Sequence, residues 1–300
     1  MNLSLSFLGT EARQLPPPGV YGNDGVEAVL LNHGHLEADD WETAWENVQA
    51  ASDMYGPENV TFHFPMNGSD YVEEKFVEGR LLEGYKRAGA LGIAGVIVHS
   101  NRLRDVAEWR RFDVADEQTR VLELLSRVAS AGNNGTTWLG LENMPIVGNF
   151  GYETDPLFSK AKDFSDMPPN VGVVWDVCHA TSSEQYITDL KFGLLPRKLI
   201  ARSAEKSDFD PAKVAADIVH WHFAAFGTLN NPNLGTDCEE GLLPSEIPAS
   251  SGVFEDALCH ILELSGGTEA INFEVQEADY TSRERGPEII SWAKEIIATL

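Results

Sequence analysis

The sequence of 300 residues predicts an α/β barrel built from eight strand–helix units. Three observations predict this fold. Short apolar runs recur along the chain, and segments with helical spacing of their apolar residues separate most of them, which suits parallel strands better than hairpins. Six of the runs end in a histidine or an acidic residue, the side chains that bind metals. The length also fits a barrel of typically about 250 residues together with its loops.

Eight segments are predicted as strands because each is a short apolar run without helical periodicity. The clearest is the sixth, residues 171–176, which follows Pro168, Pro169 and Asn170 and ends on Asp176. Such a run is typical of a strand that is buried on both faces, as in parallel sheets. In chain order, the predicted strands are residues 3–7, 26–31, 60–63, 93–99, 137–143, 171–176, 218–222 and 271–274.

Five helices are predicted between or after these strands. In residues 39–55, Trp41, Ala44 and Val48 recur at helical intervals, and Gly56 ends the pattern. The other four are residues 70–91, 114–131, 253–264 and 288–300. The residues directly after Asp176 are expected to form a turn.

No linker, repeat or low-complexity tract divides the chain, so residues 1–300 are expected to form a single barrel domain. The longest irregular segment, residues 224–251, follows the seventh strand and is rich in Asn, Gly and Pro. A loop of that length in a compact fold is usually functional.

Composition indicates a soluble, cytoplasmic protein without membrane attachment. The amino terminus lacks a secretory signal, and no apolar span approaches the length of a transmembrane helix. Cys178, Cys238 and Cys259 show no paired spacing, which fits a reducing compartment.

The chain is strongly acidic. Its 47 acidic and 22 basic residues give a formal net charge of −25. Such a surface disfavours binding to a phosphate backbone, and so argues against a nucleic-acid partner unless a local basic patch overrides the repulsion. It also resembles the surfaces of proteins from salt-loving organisms. A basic cluster after the fourth strand could meet an anionic substrate or form a solvated helix face: Arg102, Arg104, Arg110 and Arg111.

Residues with metal-binding side chains end six of the predicted strands. In a barrel, these strand ends converge on one mouth. The residues concerned are His63, His99, Glu142, Asp176, His222 and Glu274, with His179 in the turn after Asp176. Three carboxylates brought together would repel one another, and a divalent cation removes that repulsion.

A mixed oxygen and nitrogen ligand set is therefore predicted, formed by Glu142, Asp176, His222 and Glu274. Such a set suits Mn²⁺, Mg²⁺, Co²⁺ or Zn²⁺.

The remaining histidines have different predicted roles. His63 and His99 are predicted to contact a metal or substrate. The alternative is that they lie in the core with their hydrogen bonds satisfied there. His220 lies two residues before His222 on the same strand face, one layer deeper, where it could support the ligand. His33 and His35 are expected at the periphery and His260 on a helix.

The sequence resembles the xylose isomerase-like barrel superfamily. The resemblance rests on Leu141-Glu142-Asn143, on Asp176-Val177-Cys178-His179-Ala180, on His222 and on Glu274. This superfamily includes sugar isomerases and epimerases and the endonuclease IV family of abasic-site nucleases (AP endonuclease family 2). The resemblance implies metal-ligand roles for Glu142, Asp176, His222 and Glu274, with one to three ions.

The isomerase or epimerase branch is the leading interpretation. Its members use a metal to bind neighbouring oxygens of a sugar or sugar phosphate. By the resemblance, Glu142 and Glu274 would move a proton at the adjacent carbon through a metal-stabilised enediolate. His179 or His99 could bind a hydroxyl, and the expected partner is a small carbohydrate.

The nuclease branch is the alternative. It is similar in having histidines after strands three and four, here His63 and His99, which with Asp237 would extend the site to as many as three zinc ions. Where those enzymes carry Asp-x-His after strand seven, this chain reads Asp237-Cys238-Glu239. The acidic segment after strand two also differs from a loop that would probe DNA.

Overall fold

The computed structural model describes residues 1–132, 135–247, 251–265 and 270–300. Eight parallel strands form a closed barrel, in which each strand pairs with its neighbours in the chain and the last pairs with the first. The predicted (β/α)8 barrel is thereby confirmed. The strands are β1 (Asn2–Leu8), β2 (Gly25–Val29), β3 (Val60–His63), β4 (Gly95–Val98), β5 (Trp138–Glu142), β6 (Gly172–Asp176), β7 (Ile218–Phe223) and β8 (Ala270–Phe273).

Six long helices surround the barrel, and a one-turn helix, Val106–Trp109, precedes the third of them. The long helices are α1 (Ala38–Tyr55), α2 (Lys75–Leu91), α3 (Val114–Gly132), α4 (Val177–Lys191), α5 (Ser251–Ser265) and α6 (Arg285–Ile297). All five predicted helices are present. Helix α2 begins five residues later than predicted, because the Asp70 side chain accepts the backbone N–H of Val72 and Glu73 and forms a turn before it.

The turn expected after Asp176 is wrong, because helix α4 begins at the next residue. Its buried side carries His179, Ser182 and Ser183 beside its apolar residues. These polar side chains interrupt the apolar period on which a helix prediction depends. His179 therefore lies on a rigid first helical turn.

The main core lies between the barrel and the helices. Trp41 on α1 packs edge-on against Phe62 of β3, with ring centroids 6.0 Å apart. Helix α2 approaches closely at Gly84, where a Cβ atom would lie 3.0 Å from the Trp41 ring. Because residue 84 has no side chain, helix α2 can pack directly against the indole ring of Trp41 on α1.

The segment after β7 is ordered by a small hairpin. Ala225–Phe226 pairs with Glu240–Leu242 in antiparallel fashion. The Asn230 side chain donates to the carbonyl of Gly148, at 2.7 Å, and so ties this segment to the loop after β5. Residues 248–250 of the predicted loop lie outside the described residues. No described helix is both long and apolar enough to cross a membrane.

Candidate metal centre

The four predicted ligands lie together at the carboxyl end of the barrel. Glu142 and Asp176 are the last residues of β5 and β6, His222 lies near the end of β7, and Glu274 directly follows β8. One donor atom from each of them lies within 4.8 Å of those of the other three. Four donors this close together could hold one cation, whose ligands usually lie about 2.0–2.2 Å from it.

A second donor group shares Glu142 with the first and adds His63 and His99. The Nε2 atoms of His63 and His99 lie 3.1 and 3.2 Å from Glu142 Oε2. Their Nδ1 atoms donate to the backbone carbonyls of Phe64 and Met66, at 2.7 and 3.1 Å. These carbonyls fix both rings, so that each Nε2 faces Glu142.

Two histidine ring nitrogens in these donor groups indicate that the site can bind a cation. His222 Nδ1 and His99 Nε2 are buried and have no hydrogen-bond partner among the described residues. Buried polar atoms are normally paired, and an imidazole nitrogen facing carboxylates is a common metal donor. The residues present therefore fit a divalent cation, which Glu142, Asp176, His222 and Glu274 would hold.

The two predicted catalytic glutamates have different environments. Burial disfavours the charged form of Glu142, but the facing His222 and His99 outweigh this effect and hold the pKa of Glu142 well below its usual range. Burial raises the pKa of Glu274 to about 7; His222 opposes this shift, whereas Glu142 and Asp176 reinforce it. Glu274 is thus suited to exchanging protons near neutral pH, whereas Glu142 is a permanent anion.

Asp176 and His179 are connected through the start of helix α4. Asp176 Oδ1 accepts the backbone N–H of His179, at 2.6 Å, and so caps the helix. The Nδ1 of His179 donates to the carbonyl of Asn143, at 2.7 Å, and orients the ring. Burial opposes protonation of His179, yet Asp176, Glu240 and Glu142 raise its pKa to about 9. His179 is therefore a cationic hydrogen-bond donor at neutral pH.

Two acidic residues near this centre were missed by the sequence analysis. Glu27 of β2 is fully buried below the centre and faces His220 and His222. A single carboxylate inside an apolar strand was the available signal, since such a group needs partners. Glu240 lies 4.0 Å from His179 and accepts a hydrogen bond from Asn149, at 2.7 Å. No local pattern distinguished it from other loop acids.

The remaining predicted site residues take different positions. His220 is buried one layer below His222, as predicted from the strand period. Asp237 is exposed and belongs to none of the donor groups formed by the described residues. The acid that this loop brings to His179 is Glu240. Asp237, which the nuclease alternative expected to help extend the site to as many as three zinc ions, thus lies apart from the centre.

Arg102 does not form part of a solvated basic face, nor does it point at a substrate. Its side chain is 1% exposed and forms ion pairs with Asp70, Glu73 and Glu117. It joins the loops after β3 and β4 to helix α3. Its role in this structure is to neutralise the buried Glu117 and to pair with Asp70 and Glu73, which are more exposed.

A cavity of about 410 Å³ opens over the centre. Asp176, His179, Glu240 and Glu274 provide its polar side chains at the centre. Much of its wall is apolar and consists of Phe7, Leu8, Val29, Leu31, Met66, Ala224, Val275 and Tyr280. None of the described lining residues is lysine or arginine. A second cavity of about 150 Å³ adjoins it on the far side of His179 and Glu240.

Solved structures with the same fold include an epimerase-like protein and an endonuclease. A D-tagatose 3-epimerase-like protein superposes with a TM-score of 0.61 at 15% identity, over 100% of this chain and 99% of its own. Endonuclease IV from Thermus thermophilus superposes with a TM-score of 0.60 at 14% identity, over 100% of this chain and 98% of its own. For a Thermus thermophilus protein soaked with ZnCl2, the TM-score is 0.58 at 18% identity, over 100% of this chain and 99% of that protein. At these identities, the likeness concerns the fold.

Sequence comparisons give the family. A search of curated proteins finds no match. The profile of the xylose isomerase-like TIM barrel family matches residues 20–296, which is most of the chain. The barrel described above, with acidic and imidazole groups at the ends of its strands, agrees with that match. The chain therefore belongs to the xylose isomerase-like TIM barrel family.

Proposed function

We propose that this protein is a divalent-metal-dependent isomerase or epimerase that acts on a small unphosphorylated sugar. One observation carries the proposal. Glu274 belongs to the four-residue donor group and also lines the cavity, with a pKa raised to about 7. A group with such a pKa beside a cation site can take a proton from substrate and return it.

Proton transfer is assigned mainly to Glu274. Its side chain is 20% exposed, so it can reach the carbon next to a substrate carbonyl. Glu142 is 1% exposed and surrounded by histidines, which favours a ligand role over the proton-transfer role also expected of it. A divalent cation, when bound, would supply Lewis-acid stabilisation for the negative charge that develops on the substrate oxygen.

His179 is assigned to substrate binding. Its Nδ1 is engaged by the Asn143 carbonyl, which leaves Nε2 directed toward Glu240 and the cavity. Because its pKa is raised to about 9, this nitrogen carries a proton at neutral pH and can donate to a substrate hydroxyl or carbonyl oxygen.

The lining of the cavity favours a neutral substrate over a sugar phosphate. A phosphate group would face Asp176, Glu240 and Glu274 without a lysine or arginine among the described lining residues. Phosphate sites normally supply such cations or a set of backbone N–H groups. The apolar wall suits the C–H faces of a sugar chain.

An abasic-site nuclease is the second candidate. The specific observation in its favour is the donor group of His63, His99 and Glu142, which would let two cations share Glu142. Two-metal sites are common in enzymes that cleave phosphodiesters. The net charge of −25 opposes contact with DNA.

The proposal is tested by solvent exchange. The Mn²⁺-loaded protein is incubated in D₂O with a panel of free ketoses and aldoses, and NMR detects deuterium at the carbon next to the carbonyl. We expect incorporation with at least one sugar and loss of about 10²–10⁴-fold in rate for Glu274→Gln, which removes the proton acceptor. Glu284→Gln, the same change at an exposed residue, is the matched control and should retain the wild-type rate.

A parallel assay with an abasic duplex oligonucleotide, repeated over a range of salt concentrations, separates the two candidates. Cleavage without sugar exchange would favour the nuclease and contradict the isomerase. If exchange persists unchanged in Glu274→Gln, Glu274 is not the proton acceptor.

A further inference from the structure

Glu27 has an unusual position for a carboxylate. It lies in the middle of β2, whose five residues are all buried, and its side chain is fully enclosed inside the barrel. Strand alternation places it on the same inward face as Val29, which lines the cavity above. A carboxylate is costly to bury in such a place unless its oxygens are paired.

Both oxygens of Glu27 are paired by side chains from other strands of the barrel. Thr61 of β3 donates its hydroxyl to Oε2 at 2.8 Å, and Asn272 of β8 donates its amide N–H to Oε1 at 2.9 Å. His220 Nε2 lies 3.3 Å from Oε2. The carboxylate is thereby held in one orientation.

His222 connects this buried carboxylate to the metal centre. Its Nε2 lies 3.3 Å from Glu27 Oε1 and 3.4 Å from Oε2. Its other nitrogen, Nδ1, lies 3.3 Å from Glu142 Oε2 and 3.5 Å from Glu274 Oε1. The Nε2 edge of the imidazole ring thus faces a carboxylate, which accepts but cannot donate, and the Nδ1 edge faces the candidate metal centre.

We propose that Glu27 is a positioning residue that sets the tautomer and orientation of His222 for metal binding. A carboxylate accepts hydrogen bonds, so it keeps the proton of neutral His222 on Nε2 and leaves the Nδ1 lone pair for the cation. Carboxylates that support metal-ligating histidines in this way typically change metal affinity about 10- to 100-fold when they are removed. The inference rests on the metal centre proposed above and is independent of the substrate.

Replacement by glutamine isolates this role. Glu27→Gln keeps the shape, but its amide has one oxygen and one NH₂ group. The NH₂ group takes the place of one carboxylate oxygen. There it faces either the donating amide of Asn272 or the Thr61 hydroxyl, which would have to turn to accept it, and His222 loses one of its two acceptor atoms. We expect Zn²⁺ affinity, measured by competition with a chelator, to fall about 10- to 100-fold.

The tautomer provides a readout that a purely structural role would not change. In Zn²⁺-loaded protein labelled with ¹⁵N-histidine, wild-type His222 should show a protonated Nε2 and an unprotonated Nδ1. Glu27→Gln should weaken or remove the Nε2–H signal, which is assigned by its loss in His222→Asn. Glu117→Gln is the matched control, because Glu117 on α3 is also buried but pairs with Arg102 and Arg120, and it should keep the wild-type affinity and spectrum.

The outcomes separate the two proposals. If the wild type binds Zn²⁺ and Glu27→Gln binds it equally well with an unchanged Nε2–H signal, the role of Glu27 is overturned and the metal centre stands. If the wild type binds no Zn²⁺, the metal centre itself fails and the inference with it. Should Glu27→Gln not fold, Thr61→Val replaces it, since it deletes one donor to Glu27 and keeps the carboxylate. Weaker binding in that variant supports the role, and wild-type binding overturns it.

Discussion

The individual residues at the mouth of the barrel depend on one another for their charge states. Glu142 keeps its charge because histidines face it, and Glu274 has a raised pKa because it is buried beside other carboxylates. His222 is desolvated, yet Glu274, Glu142 and Glu27 hold its pKa well above the usual value for histidine. In the metal-free protein, protons therefore provide the neutralisation that a cation would otherwise supply.

Metal binding should release protons for this reason. Below pH 7, Glu274 is largely protonated and His222 is charged, whereas a cation requires both in their unprotonated forms. Affinity for Zn²⁺ should therefore weaken as the pH falls through about 7. Calorimetric titration near pH 6.5, in two buffers with different ionisation enthalpies, should show at least one proton released per ion. The variant His260→Ala, which changes a histidine on α5, is the control and should release the same number of protons as the wild type. Metal binding without proton release would contradict the assignment of Glu274 and His222 as ligands.

Residue-level sequence reasoning singled out the four proposed ligands because each stands at the end of an apolar run, where its chemistry is conspicuous. Glu27 was missed because its role arises from Thr61, His222 and Asn272, three partners on other strands. Arg102 was expected either to meet an anionic substrate or to lie on a solvated helix face, because its neighbours in sequence are charged. Its acidic partners come from another loop and from helix α3. Contacts between distant positions decided both residues.

At the scale of elements, the junction of β6 and α4 joins fold and site. Asp176 ends the strand, caps the helix and contributes an oxygen to the four-residue donor group. The absence of a loop between strand and helix keeps His179 and Asp176 in a fixed relation. The sequence predicted this strand well, but it missed the helix because the buried side of α4 is partly polar.

Two substitutions at Asp176 should separate its capping role from its metal role. Asparagine caps helices about as well as aspartate, whereas alanine costs about 1 kcal/mol. We expect metal-free Asp176→Ala to be less stable than Asp176→Asn by about that amount in urea unfolding. Both variants should bind Zn²⁺ more weakly than the wild type. Unchanged metal content in either variant after dialysis would count against Asp176 as a ligand.

At the scale of the whole molecule, the net charge of −25 produces repulsion across the surface. Many acidic residues on the helices are exposed, and the ion pairs at the surface leave most of this charge uncompensated. Salt shortens the range of such repulsion from about 10 Å at 0.1 M to about 3 Å at 1 M. The folded state, which concentrates the charge, should benefit more than the unfolded chain.

Thermal unfolding should therefore shift to higher temperature as KCl is raised from about 0.1 M to about 1 M, with most of the change complete once screening is strong. Sucrose at matched water activity is the control, since it stabilises by exclusion and does not screen charge. A fall in the midpoint with KCl, or an equal rise with sucrose, would contradict an electrostatic cause.

The sequence by itself determined the barrel, the order of its strands and the four residues that meet at its mouth. It could do so because strand periodicity and the position of a side chain at a strand end are local properties. Only the tertiary structure decided that Glu27 lies beneath His222, that Glu240 rather than Asp237 faces His179, and that the described residues of the cavity wall include no lysine or arginine. These facts depend on which side chains the closure of the barrel and the folding of its loops bring together, and no short stretch of sequence encodes them.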